Sequence, residues 1–444
     1  MRAAAWRLTA AATGLTALIA GSRASFGMFL SPLNTATGLG MASISLAAAV
    51  GQLASGVALP LVEALARRFG PARVIAGGAG LLAISTVLLV MVHSLVALIV
   101  LILLVFAAGT AVASKALLIG EVSRRAGAAD HGLAAGVIGA GGPAGQLVLA
   151  PLVITAIGLR GWAAALCALG AIALLALPLA RSFRTRSARA APAHCFSAGG
   201  AALRDARFWL IAGSFGMCGF HVAFLTVHMP GVIERCGFPA AFTGLWLVLA
   251  GFANIAGSIG VGFVMKRFAS APLLAIVYAL RVAAILAFLW LPSGRGVLIG
   301  FALAIGVTYA ATLPPTAGLL ARSFGVERLS ALLGATMLVH QIGGFFGAWL
   351  GGVAVEHGGS YASMWIADAA LAAVASAMQL VLMRMRAPPT TVPALAAPAA
   401  YQAAGASAVA SAERSSLRST GLRSTARTPA RPTSTLSSPS PKPV

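Results

Sequence analysis

Along the first 386 residues, runs of about 20 mostly apolar residues alternate with short polar breaks, and this repetition decides most of what the chain can become. Apolar residues make up 59% of the 444 and charged residues only 9%, against roughly 25% charged in a soluble domain, so no water-soluble fold can bury them. Twelve runs are long enough to cross a bilayer: residues 13–33, 44–65, 74–92, 95–118, 133–157 and 162–179, then 208–232, 242–264, 273–291, 297–320, 329–355 and 361–383. None alternates with the period of two that a membrane barrel requires. Helices are the remaining structure that satisfies every backbone group in lipid.

The formal net charge of +22 would suggest nucleic acid in a soluble protein. Its distribution says otherwise. With both termini cytoplasmic, Arg67, Arg68, Arg73, Arg124, Arg125, Arg181, Arg184, Arg186, Lys266, Arg267 and Arg322 all fall on the cytoplasmic side, whereas Arg160, Arg235 and Arg295 fall on the other. That asymmetry is the positive-inside pattern, so the basic balance fixes orientation in an inner membrane and does not imply nucleic-acid binding. Arg2 and Arg7 ahead of an apolar run imitate a secretory signal. The run continues past Arg23 to Leu33, however, and is read as an uncleaved first span. Cys167, Cys195, Cys218 and Cys236 have no metal-ligand spacing and are read as apolar filler without disulfides.

The longest internal polar stretch, residues 181–207, divides the spans six and six. The expected fold class is an all-α integral membrane protein with two pseudo-symmetric six-helix bundles, residues 1–180 and 208–386, joined by that basic linker. Residues 387–444, rich in Ala, Pro, Ser and Thr, are expected to form a disordered cytoplasmic tail. Internal similarity supports duplication. Gly21, Arg23, Phe26 and Pro32 recur as Gly219, His221, Phe224 and Pro230, displaced by 198 residues, and the same displacement carries Gly136 and Gly145 onto Gly334 and Gly343. Arg67-Arg68-Phe69 matches Lys266-Arg267-Phe268 one residue further on.

Three segments carry a family resemblance. Ala66-Arg67-Arg68-Phe69-Gly70-Pro71-Ala72-Arg73 resembles the loop between helices 2 and 3 of the major facilitator superfamily. His131-Gly132-Leu133 through Gly141-Gly142-Pro143-Ala144-Gly145 to Pro151 resembles its glycine-rich fifth helix. Phe208-Trp209 through Gly219-Phe220-His221 to His228-Met229-Pro230 is similar to the seventh helix of bacterial relatives of the monocarboxylate and oxalate/formate transporters. The resemblance implies a fold in which helices 1, 4, 7 and 10 line a central cavity, and secondary transport of a small solute by alternating access. Asn254 and Ser258 stand where monocarboxylate transporters usually carry an Asp and an Arg.

A charge inside a span costs about 2.5–3.5 kcal/mol, so each one needs a reason. On the implied cavity helices lie Arg23, Lys115, His221, His228 and Tyr309, with Asn254, His340 and Gln341 on neighbouring spans; these are the candidate substrate contacts. Arg23 and His221, equivalent in the repeat, are expected to face each other across the pseudo-twofold axis. Each histidine has a plainer reading as a hydrogen-bonded core residue, and Lys115 has one as a chain that snorkels to the interface. No Asp or Glu lies within an implied cavity helix away from its end, so the passenger is expected to be an anion such as a carboxylate held by Arg23. If protons are coupled, His221 is the expected carrier. Arg281 and Asp368, at similar depth on peripheral spans, are expected to form a structural salt bridge. Glu63, Arg67, Arg68, Gly70, Arg73, Lys266 and Arg267 are read as anchoring and gating elements, with Glu63 placed one turn from Arg67 to pair with it. Gly142 and Pro143 are read as the site of a bend.

No cofactor, metal or nucleic-acid partner is expected, and the chain is expected to act as a monomer in the bilayer. An enzyme would need a nucleophile with its base, or clustered ligands, near one membrane face, and the short basic loops offer neither. Within transporters, an exporter of drugs or hydrophobic metabolites remains the alternative.

Overall fold

A computed structural model describes residues 3–126, 131–184, 202–265, 267–292, 294–325 and 328–385. The expected tail, most of the linker, and Lys266 lie outside them. Among the described residues, ten segments are long and apolar enough to cross a membrane. The 48-residue segment among them holds two spans, because its helix is broken at Gly161, whose φ of 81° and ψ of 167° are open to glycine and strained for other residues. With both arms counted and the opening helix added, the described helices account for the twelve expected spans.

The helices run in order α1 (Ala3–Ala24), α2 (Leu30–Thr37), α3 (Met41–Phe69), α4 (Pro71–Leu88), α5 (Leu95–Ala113), α6 (Lys115–Ala126), α7 (His131–Ala173), α8 (Ala176–Ala180), α9 (Ala206–Arg235), α10 (Ala240–Val264), α11 (Ser270–Trp290), α12 (Arg295–Tyr309), α13 (Leu313–Phe324), α14 (Leu329–Gly358) and α15 (Ala362–Arg384). Local chemistry sets their ends. Gly70, at φ 89°, turns α3 into α4, and Pro71 follows at the first helical position, where its missing N–H costs nothing. Ser94 accepts a hydrogen bond from the Ala97 N–H at the start of α5. Asp205 caps α9 through the Arg207 N–H, and the Arg207 guanidinium bonded to it holds its carboxyl below the usual range.

Among the described residues, the fourth and tenth spans are interrupted at equivalent places. The fourth breaks at Ser114, between α5 and α6, and the tenth breaks between Tyr309 and Leu313, so Ser114 and Thr312 are again 198 residues apart. A break inside a span releases backbone groups that lipid cannot satisfy, so something polar must take them up. At the second break it is Arg281, which donates to the carbonyls of Thr308 at 2.7 Å and Tyr309 at 3.2 Å.

Glycine sets the closest helix contacts, and the two halves repeat them. A methyl group on Gly145 of α7 would collide with the Ala17 carbonyl of α1; one on Gly343 of α14 would collide with the Gly216 carbonyl of α9. Gly21 and Gly219, the partners at the same displacement, meet the backbones of Gly145 and His340.

One buried apolar cluster joins residues of both halves, from Phe26, Ile44 and Phe106 to Phe224, Trp246 and Trp365. Two others stay within one half each: Leu8, Ile75 and Val122 with Phe183 in the first, and Phe208, Leu274 and Leu320 with Leu382 in the second. The separate clusters contain the ends of α1 and α15, so the halves meet on the face away from the described chain ends and part on the other. On the closed face the Ala42 N–H at the start of α3 donates to Glu356 of α14 at 2.7 Å. Replacing Glu356 with Gln leaves a weaker acceptor and removes the charge that faces the helix N-terminus. The expected outcome is a shift of about 1 kcal/mol toward opening on this face, read from the distance distribution of spin labels placed across α3 and α14.

Candidate functional site

Between the halves lies a cavity of about 390 Å³, bounded by α1, α3, α5, α6, α7, α9, α10, α12 and α14. Arg23, Lys115, Asn254, Tyr309, His340 and Gln341 all line it, as do Gly142 and Pro143. Among the described residues, no Asp or Glu lines it.

Arg23 is half-buried and held on three sides. Its Nη2 donates to Gln52 Oε1 at 3.1 Å and to Ser55 Oγ at 2.8 Å, and its guanidinium carbon sits 4.7 Å from the centre of the Phe106 ring. Gln52 and Ser55 are three residues apart on α3 and therefore share a face. No carboxylate pairs with Arg23 among the described residues, and Nε and Nη1 have no protein partner there. Its orientation is thus fixed by neutral groups while its charge stays uncompensated.

Lys115 reaches the cavity because α6 starts at the break after Ser114. Tyr309 ends α12 at the equivalent break, its hydroxyl 3.0 Å from Thr226 Oγ1. Asn254 accepts the Ala310 N–H at 3.3 Å and so caps the same break from α10. His340 Nδ1 lies 3.3 Å from Gln341 Oε1, and Gln341 Nε2 donates to the Gln52 carbonyl at 3.0 Å, which ties α14 to the helix that holds Arg23. Gln146 Nε2 makes a second tie, donating to the Leu247 carbonyl at 3.1 Å. Arg23, Phe26 and Phe106 also border a smaller apolar pocket of about 50 Å³, walled by Ile19, Leu82, Leu89, Leu166 and Leu169.

Three sequence expectations are corrected. His221 does not face Arg23: it is absent from the cavity lining, 1% exposed, and its Nδ1 lies 2.6 Å from Asp368 Oδ2. His228 is also outside the cavity. Its Nε2 donates to the Ala348 carbonyl at 2.7 Å, which leaves Nδ1 to accept from the Tyr361 hydroxyl at 3.4 Å, so it serves the contact of α9 with α14. Arg281 and Asp368 form no salt bridge, because Asp368 is taken by His221 and the guanidinium of Arg281 is spent on the Thr308 and Tyr309 carbonyls and on Cys218 Sγ at 3.1 Å. The break between α12 and α13 supplies the competitor for the arginine.

Ser55, Phe106 and Thr226 were not among the sequence candidates. The signal for Ser55 was its spacing from Gln52; Phe106 carried none beyond its place on the fourth span. Of the loop residues, Arg67 and Arg68 are exposed at the end of α3, Arg68 lying over the Phe69 ring, with Glu63 a turn earlier. Arg73 sits in the first turn of α4, and Arg267 follows α10.

A model of the family described as Major Facilitator Superfamily matches residues 12–348. The chain belongs to the Major Facilitator Superfamily. It is therefore a multi-pass membrane protein, a secondary transporter and not an enzyme. No functionally curated protein matches it. Among solved structures, the superfamily fold recurs in the nucleoside transporter NupG (TM-score 0.71, 14% identity, 87% of this chain and 100% of that one). It recurs in a D-xylose-proton symporter (TM-score 0.67, 15% identity, 84% and 97%). A third likeness is a bacterial homolog of the human lysosomal transporter Spinster in an inward-facing, occupied conformation (TM-score 0.65, 15% identity, 86% and 98%). At these identities the likeness concerns the fold alone, and the superfamily's substrates are too varied for it to name one.

Proposed function

We propose that this superfamily member carries a small organic anion, of the size and kind of a monocarboxylate, by alternating access. The observation that carries the reading is the cavity lining: Arg23 and Lys115 with no carboxylate among the described residues around them. In a site partly screened from water, such a charge is costly unless a ligand supplies the counter-charge. Arg23 is suited to supply the contact, since Gln52 and Ser55 orient it through Nη2 while Nε and Nη1 remain as donors. The apolar pocket bordering Arg23 and Phe106 favours an organic anion over an inorganic one, because its walls offer a body of a few carbons an apolar surface and offer a hydrated ion nothing. A carrier of cationic drugs would be expected to place an acid where the lining has none.

The basic loops support a cytoplasmic location for both termini in the inner membrane, and in that orientation the cavity opens inward. The two halves, 1–180 and 208–386, would then exchange the closed face held by Glu356 and Gln341 for a closed inner face. Gly70 and the arginines around it, with Lys266 and Arg267, would take part in that inner closure. The chain would act as a monomer.

Counterflow in proteoliposomes with a panel of labelled organic acids is the test. Uptake of at least one acid, saturable and competed by other acids, is the expected result; a panel without uptake, alongside uptake of an organic cation, would refute the reading. Lys115→Gln removes one of two positive charges reached through water, so the half-saturation concentration is expected to rise about 5- to 10-fold, with a weaker dependence on salt.

A further inference from the structure

The buried pair of His221 and Asp368 lies outside the cavity and is built in a way that packing alone does not explain. The two side chains meet at 2.6 Å with about 1% of each exposed, and their other polar atoms, His221 Nε2 and Asp368 Oδ1, have no hydrogen-bond partner. Leaving such atoms dry and unpaired costs free energy that an apolar pair of the same shape would not. The charged and titratable groups near them come from α9, α11, α12 and α14, the last contributing His340, which reaches Cys218 and has its ring centre 4.6 Å from that of Phe215. From α11 comes Arg281, buried and bonded to carbonyls and to Cys218, with Tyr278 of the same helix donating to the Ser214 carbonyl. From α9 itself comes Cys218, three residues before His221, and from α12 the Thr308 and Tyr309 carbonyls, already taken by Arg281. No other carboxylate is buried in this half among the described residues.

We infer that His221 and Asp368 form the proton-carrying site of the transporter, separate from the anion site in the cavity. Its sign of coupling rests on the anion reading above. In the unloaded state Asp368 is ionised, His221 is neutral with Nδ1–H donating to Asp368, and Arg281 balances the carboxylate, so the three groups carry no net charge. Loading adds one proton from water to the free Nε2, giving an imidazolium paired with the carboxylate and one positive charge in excess. Unloading returns that proton from Nε2 to water. The excess charge is unfavourable alone, as is an anion brought into the cavity; together they cancel. Anion binding therefore raises the proton affinity of the pair, and protonation raises anion affinity by the same factor.

The fold supplies a connection and a shield. Tyr309 lines the cavity with its side chain while its carbonyl holds Arg281, so a change at the anion site reaches the neutral group by one residue. Gly219, Val222 and Ala223, on either side of His221, also line the cavity. Toward the closed face the pair is covered by Phe224 and Trp365, each three residues away along its helix, with ring centres 4.8 Å apart in an edge-to-face contact. Separation of α9 from α15 at that contact would expose the pair to the other side of the membrane.

The test uses the full-length protein in proteoliposomes, with an acid that passes the counterflow panel and a proton gradient across the membrane. The wild type is expected to accumulate the acid several-fold above equilibrium. His221→Asn and Asp368→Asn are expected to lose accumulation, and the exchange that remains is expected to become independent of pH between about 5.5 and 8.5. Accumulation driven by the gradient in either variant would overturn the inference, as would a wild type whose acid transport ignores pH; the anion reading would survive both. A measurement without substrate separates the two claims. Infrared difference spectra of the purified wild type between about pH 5 and 9 should contain an imidazole band that is absent in His221→Asn, or in His221→Gln where the first variant does not fold. Absence of that band both without and with the acid present overturns the proton site. Its presence in a protein that carries no acid would uphold the proton site and refute the anion reading.

Discussion

Arg23→Ala is expected to lower anion exchange by about 30- to 1000-fold at subsaturating substrate, the equivalent of about 2–4 kcal/mol. The size follows from how the residue is held. Its Nη2 is committed to Gln52 and Ser55 and its face to Phe106, so the guanidinium is already positioned before a ligand arrives and little binding energy goes to ordering it. Removing it also leaves Gln52 Oε1 facing the cavity, an acceptor where the anion needs a donor. Arg23→Lys keeps the charge and gives up the planar fork that spans Gln52 and Ser55, so an intermediate loss of about tenfold is expected. Initial rates of counterflow across a range of substrate concentrations check both values. Rates for Arg23→Ala within about threefold of wild type would place the anion elsewhere.

Gly145→Ala and Gly343→Ala are each expected to destabilise the protein by about 3 kcal/mol or more, seen as a clear fall in thermal midpoint in detergent or as loss of monodisperse protein. At both positions the added methyl meets a backbone carbonyl of the neighbouring helix, Ala17 in one half and Gly216 in the other, and a carbonyl within a helix cannot move aside as a side chain can. The internal control is Gly334→Ala. A methyl group there meets nothing within 4 Å, so the substitution should be neutral or gain up to about 1 kcal/mol from helix propensity. Equal stability of Gly145→Ala and Gly334→Ala would contradict the packing described for α1 with α7.

The span count and the uneven distribution of arginines could be read from residue types because lipid imposes them: a span must be apolar, and charges collect at its ends. The repeat was legible too, and the glycines it aligned, Gly21 with Gly219 and Gly145 with Gly343, occupy equivalent contacts. What it could not give was direction around a helix. Displacement by 198 residues sets Arg23 and His221 at one depth, but nearly uniform apolar spans carry little signal for which face meets which neighbour. Arg23 meets the polar face of α3, whereas the partner of His221 is Asp368 on α15. The break between Tyr309 and Leu313 was likewise hidden, though Pro314 and Pro315 mark its far edge, and it is this break that draws Arg281 away from Asp368.

The central claim is about the sign of a charge, and a matched pair of solutes isolates it. An organic acid that passes the counterflow panel and its primary amide have nearly the same shape and differ in charge. The account predicts that the wild type exchanges the acid and ignores the amide, with the preference shrinking in Arg23→Ala. Equal exchange of acid and amide, or inhibition by the matching organic cation in place of the anion, would contradict it.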